Sequence, residues 1–142
     1  MKRNILFVVI FVSIIFPSWG KNVEDGATFM KRLPYAQLIK DMALARCFAM
    51  INNNDKEMAL DAALSSNAMR SWAPYNFVEG DKKINAIIDK YKDRKNNFHV
   101  EIPSNSKGYT LNCFRLYHSK ELDDVVKDVI TENPDHNWYQ DN

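Results

Sequence analysis

Two cysteines and three histidines carry the most reactive chemistry in this sequence, and their spacing narrows what they can do. Cys47 and Cys113 stand 66 positions apart. Read as a nucleophile, Cys113 needs a general base, and His118 is five positions further on. That offset does not by itself place the ring against the sulfur. Read as a pair, two thiols in an oxidising compartment form one disulfide. Closing so long a loop is worth about 4 kcal/mol by chain entropy, with measured values often lower. The disulfide is the reading adopted; a Cys113–His118 hydrolase is the alternative. His99, His118 and His136 lie 19 and 18 positions apart, so no two have the close helical spacing of a zinc site. Gly26, Gly80 and Gly108 do not make a glycine-rich phosphate loop, and no serine stands in a GxSxG context. Asp123 and Asp124 are adjacent, and neighbours on a helix point in different directions. The expectation is a binding protein with no catalytic residue, no metal and no cofactor.

The oxidising compartment is itself read from the N-terminus. Lys2 and Arg3 precede an apolar run from Ile5 to Phe16, broken by Ser13 and ended by Pro17; Ser18, Trp19 and Gly20 then form a small-x-small cleavage site. This order describes a signal peptide over residues 1–20, with Lys21 as the mature start. The run has 12 residues, against roughly 20 needed to span a bilayer, so no membrane association is expected after cleavage. The remaining 122 residues carry 17 Lys and Arg against 18 Asp and Glu. That near-neutral balance argues against a nucleic-acid partner, and the length suits one domain with one core.

The elements that must position these residues read as all-α. Residues 21–33 are polar and unpatterned, a mobile lead-in to a helical domain over 34–142. A helix is expected from Tyr35 to Ile51. Gln37, Lys40 and Asp41 share a narrow polar face, and beyond Asp41 it is apolar almost all round, as a central helix is. Arg46 interrupts that apolar surface; a guanidinium there must be paired, and an ion pair with a carboxylate of another helix is expected. A second helix, Lys56 to Trp72, carries the stripe Met58, Ala62, Ser65, Met69 and Trp72, read as core. Pro74 stops it. Gly80 and Asp81 read as a turn and a helix N-cap, followed by Ile84, Ile87, Ile88 and Tyr91 at i, i+3, i+4 and i+7. The basic cluster Lys90, Lys92, Arg94 and Lys95 suits a solvated helix C-terminus, with a phosphate or cell-wall polymer site as the alternative. Phe98 to Ile102 alternates like a short extended piece, and Pro103 to Gly108 is the clearest loop. Helix resumes near Thr110. Leu111, Phe114, His118, Leu122, Val125 and Val129 share a face if it is continuous; Ser119 could instead cap a second segment. The fold expected is a small bundle of about four to five helices with one inter-helix disulfide.

Two segments resemble a known family. Lys40-Asp41-Met42-Ala43-Leu44-Ala45-Arg46-Cys47 and Leu111-Asn112-Cys113-Phe114-Arg115-Leu116-Tyr117-His118-Ser119-Lys120-Glu121-Leu122-Asp123 resemble the immunity proteins of the fourth class of type VI secretion amidase effectors. The resemblance implies a periplasmic helical protein that is not an enzyme. It implies a partner, a cognate amidase that cleaves the peptide stems of peptidoglycan, whose Cys-His active site the immunity protein occludes. It also implies a homodimer. A projecting loop is how such proteins reach the active site, which points to Ser104, Asn105, Ser106 and Lys107. The competing contact is the Trp72 to Glu79 turn, where Tyr75 and Phe77 would be aromatic anchors beside Glu79.

Overall fold

The computed structural model describes residues 24–52, 54–96 and 107–142. These form seven helices in chain order: α1 Gly26–Arg32, α2 Tyr35–Ile51, α3 Lys56–Arg70, α4 Phe77–Lys92, α5 Tyr109–Tyr117, α6 Lys120–Val129 and α7 Trp138–Asp141. The all-α class is as expected; the count exceeds four to five because two short helices, α1 and α7, fall in segments read as polar lead-in and tail. The signal-peptide segment 1–20 and the extended piece Phe98 to Ile102 lie outside the described residues.

The hub is α2. Leu38, Ile39, Met42, Ala43 and Cys47 are buried, and Leu44, Phe48, Met50 and Ile51 pack against the same core. Apolar residues on every side leave a helix only one comfortable place, inside the others, and α3, α4, α5 and α6 all pack on it. Its narrow polar face is covered too. Gln37 donates to Asp41 at 2.7 Å and to the Tyr117 hydroxyl at 2.6 Å, and Lys40 reaches Asp123 on α6 at 2.7 Å.

The second helix meets α2 through small residues, and this corrects the expected stripe. Ala62 and Ser66 are the buried positions of α3, while Met58 is 52% exposed and Leu60 and Leu64 point outward at 60% and 59%. Small side chains let the two backbones approach closely, so geometry selects them over the bulkier Met58. Trp72 and Met69 do pack against the core.

The start of α4 also differs. Asn76 is its N-cap, accepting from the Val78 and Glu79 amides at 3.0 and 3.1 Å. Gly80 and Asp81, expected as turn and cap, therefore sit inside the first turns. Gly80 has a packing role: a Cβ there would stand 2.5 Å from Cδ2 of the buried Tyr75 ring. Gly80→Ala is expected to cost about 1–3 kcal/mol by overpacking, read as a lower midpoint in urea unfolding; an unchanged midpoint would show that the ring can yield. The Ile84, Ile87, Ile88 and Tyr91 stripe is buried as expected.

Past α4 the continuous-helix option fails and the capped one holds. His118 ends α5, and Ser119 caps α6 by accepting from the Leu122 amide at 3.1 Å. The break rotates α5, so Asn112, Cys113 and Leu116 face inward while Leu111 and Phe114 are left exposed. Leu122, Val126 and Val129 are the buried face of α6.

Residues at both ends of the described part of the chain are more ordered than their composition suggests. Residues 26–32, expected as an unpatterned lead-in, are helical, with the Asp25 side chain accepting from the Thr28 amide. The polar tail forms α7, closed by a capping box between Asn137 and Gln140. The Lys31 ammonium sits 4.3 Å from the Trp72 ring centre and 4.0 Å from that of Trp138, joining α1 to α7 and to the end of α3.

Candidate functional site

The cysteines settle the first chemical question. Cys47 on α2 and Cys113 on α5 form a disulfide with Cα atoms 5.7 Å apart, and both are fully buried. There is no free cysteine among the described residues, so Cys113 has no thiolate to offer and His118 has nothing to activate. His118 is exposed, its ring edge-on to Tyr117. Among the described residues no group of His, Cys, Asp and Glu could hold a metal ion, and no helix is long and apolar enough to cross a membrane.

Arg46 is paired across helices. It donates to Asp81 of α4 at 2.9 Å and to Asn85 at 3.1 Å. Arg70 reaches the other Asp81 oxygen at 2.8 Å, and the Tyr75 hydroxyl donates to Asp81 at 2.8 Å. One carboxylate thus joins α2, α3, α4 and the turn that carries Tyr75. Burial pushes the Asp81 carboxyl up, but the Tyr75 hydrogen bond and the two guanidinium groups outweigh it and hold it below its ordinary value. Burial first, then the Asp81 hydrogen bond, raises the Tyr75 hydroxyl.

Tyr75 is therefore not the surface anchor expected of it. It is 6% exposed, bridged to Ile130 by backbone pairing, and its hydroxyl is consumed by Asp81 and Arg70. The exposed residues of this turn are Asn76, Phe77, Val78 and Glu79. Lys90, Lys92 and Arg94 of the basic end of α4 each have a partner, and Lys95 is exposed. Lys90 meets Glu121 at 2.6 Å, Lys92 meets Asp89 and Asp93, and Arg94 lies 3.5 Å from the Tyr91 ring centre.

Of the expected loop residues, Ser104, Asn105 and Ser106 lie outside the described residues. Lys107 is exposed, with its ammonium 5.8 Å from the Tyr109 ring centre. Gly108 follows in the left-handed region at φ 65°, which delivers the chain into α5. Two asparagines missed in the sequence hold this junction. Asn112, 0% exposed, donates to the Lys92 and Arg94 carbonyls at 3.0 and 2.8 Å. Asn96 donates to the Asn112 side-chain oxygen at 2.9 Å and lies 3.1 Å from the Lys107 carbonyl. An amide beside Cys113, between the apolar Leu111 and Phe114, was the available signal.

Comparison with known proteins supplies what side-chain chemistry does not. The family described as type VI secretion system (T6SS) amidase immunity protein, Tai4, matches residues 37–126. The chain belongs to the Tai4 family. The match takes in α2 through most of α6, so it covers the disulfide, the Asp81 network and the asparagine pair. Tai4 proteins are immunity proteins directed at amidase effectors and are not themselves enzymes. A solved chain from a study of new type VI-secreted toxins and self-resistance proteins in Serratia marcescens is similar at 51% identity and TM-score 0.76, over 84% of this chain and 94% of that one. A chain from the Tae4/Tai4 effector–immunity system of Salmonella typhimurium is similar at 25% identity and TM-score 0.61, over 70% of this chain and 92% of that one. No curated protein matches.

Proposed function

We propose that this chain protects its own cell by binding a type VI-secreted amidase in the periplasm and occluding the enzyme's active site. The Tai4 match across residues 37–126 carries the reading. The Salmonella relative comes from an effector–immunity system, which supports a cognate amidase as partner here. An enzyme that cuts the peptide stems of peptidoglycan acts outside the inner membrane, so its antidote must be exported. The signal-peptide pattern of residues 1–20 and a disulfide core fit that requirement.

Occlusion needs a rigid body and a projecting contact rather than catalytic groups. Ser104, Asn105, Ser106 and Lys107 are the proposed contact, with short polar side chains and one cation suited to a catalytic cleft. Glu79, beside exposed Phe77 and Val78, is a second contact surface. The chain acts as a homodimer in this reading, and the outward Leu60 and Leu64 of α3 offer apolar surface for such an association.

The test is direct. Purified mature protein, mixed with the cognate amidase at equal concentration, is expected to stop release of peptide fragments from isolated cell wall. Digestion at an undiminished rate would overturn the proposal, and sedimentation as a monomer at micromolar concentration would remove the dimer from it.

A further inference from the structure

We propose that Arg70 is a positioning residue for partner binding: with Tyr75 it holds the exposed Phe77 ring in place as the aromatic anchor that enters an apolar pocket of the amidase. The inference rests on the proposed amidase contact at Phe77, Val78 and Glu79, and the experiment below separates the two.

Phe77 and Val78 are the large apolar residues of α4 that the core does not use. Ile84, Ile87, Ile88 and Tyr91 are buried. Phe77 is 48% exposed, and Val78, at 77%, is the most exposed large apolar side chain among the described residues. The Phe77 ring is nevertheless held on two sides. The Arg70 guanidinium lies 4.4 Å from its centre, and the Tyr75 ring meets it edge-on at 5.1 Å. Both neighbours are themselves tied down. Arg70, the last residue of α3, pairs with Asp81 at 2.8 Å and donates to the Tyr75 hydroxyl at 3.1 Å. The backbone of Tyr75 bridges to Ile130, and the Thr131 amide and hydroxyl both donate to the Pro74 carbonyl, at 2.9 and 3.0 Å.

Shielding the Asp81 network accounts for only part of this. Any apolar side chain laid over Arg70 would keep water from its pairing with Asp81, and Val78 would have no part in it. An aromatic side chain already held in one orientation loses little further rotamer freedom on binding, which is the property of a hot-spot anchor. The surroundings fit a contact between unlike proteins. Asn67, Ser71, Asn76 and Glu79 are exposed polar residues of the adjoining helix ends and turn, and an apolar centre with a polar rim is the anatomy of such an interface. Phe77 and Val78 together expose on the order of 200 Å², against about 800 Å² per partner in a stable interface. The patch is too small and too polar at its rim to be the seam between two copies of this chain, and it anchors a wider polar contact with the amidase. Without Arg70 only a fraction of molecules presents the ring in the binding orientation, and the apparent dissociation constant rises accordingly.

The experiment is a double-mutant cycle on the full mature chain, with affinity for the cognate amidase as the readout and the urea midpoint as the control for folding. The four proteins are the parent, Arg70→Ala, Phe77→Ala and the combination. Phe77→Ala is expected to weaken binding about thirtyfold, as loss of a hot-spot residue does. Arg70→Ala is expected to weaken it about fivefold in the parent and less than twofold in the Phe77→Ala background, because it acts only through the ring. The Arg70 effect should also vanish in a Phe77→Leu background, which keeps an apolar side chain but gives the guanidinium no ring to hold; a merely structural Arg70 would not show this. Equal weakening by Arg70→Ala in every background would overturn the positioning role. A Phe77→Ala protein with a lower urea midpoint and unchanged affinity would overturn the anchor and leave Phe77 as a cover for the Asp81 network, with the proposed function intact. Loss of a dimer in sedimentation of Phe77→Ala, beside unchanged affinity for the amidase, would assign the patch to a second copy and sink the inference. Failure of the parent itself to bind the amidase would overturn the function on which it rests. If Arg70→Ala fails to fold, Arg70→Gln reads the same coupling, since it keeps an amide donor for Asp81 and takes the guanidinium away from the ring.

Discussion

Replacing both Cys47 and Cys113 with alanine is expected to lower the melting temperature by about 8–20 °C while the helical circular-dichroism signal at low temperature is kept. The bond closes a loop of 66 residues between the central helix and α5. Removing a native disulfide from a small exported domain costs about 2–5 kcal/mol, most of it through the freedom returned to the unfolded chain. At this chain length each kcal/mol shifts the midpoint by roughly 4 °C. Retention of the fold is expected because α2 is held by apolar contact with α3, α4, α5 and α6 as well as by sulfur. The same loss should follow treatment of the parent protein with reductant under conditions that open the bond, with a mass gain of two hydrogens. A reductant-insensitive midpoint and mass would show that the bond is absent in solution.

Asp81→Ala is expected to be the most damaging change of a charged residue, at about 2–4 kcal/mol. Breaking a buried pair by removing one partner costs roughly 3–5 kcal/mol; Asp81 is 24% exposed, which places it somewhat below. The loss leaves Arg46 inside the bundle without its 2.9 Å partner and frees the Tyr75 hydroxyl from its acceptor. The pH dependence gives the sharper test. The Asp81 carboxyl lies below its ordinary value in the folded protein. A depressed carboxylate contributes its stability in full above the unfolded value, about 3.9, and loses it as pH falls through the folded value. The stability difference between the parent and Asp81→Asn should therefore be constant above about pH 5 and shrink below about pH 4. A difference that does not change down to pH 2, measured by denaturant titration, would mean that the carboxylate charge contributes nothing there.

The disulfide, the helical class and the family are all legible in the sequence, and each for a local reason. A chain with two cysteines has only one intramolecular pairing to make. The range of α2 follows from uninterrupted helix-compatible residues between Pro34 and Asn52, and its central place from apolar side chains all round it. The α4 stripe and the Ser119 cap were visible because periodicity and capping are properties of a few consecutive residues. The family shows in two segments around the cysteines, and the wider match runs through the described core.

What the tertiary structure alone decided is which residues meet across distance. Eighteen acidic side chains were available to Arg46; only the packing of α4 against α2 selects Asp81. Tyr75 reads as a surface aromatic until Gly80, one helical turn into α4, makes room for its ring and Asp81 takes its hydroxyl. Met58 reads as core because hydrophobicity is what a stripe records, whereas the α2–α3 contact selects by size and turns Ala62 and Ser66 inward. Asn96 and Asn112 are 16 positions apart, and no periodic signal links them. Their pairing exists because α4 and α5 pack side by side, which sets the end of one beside the start of the other.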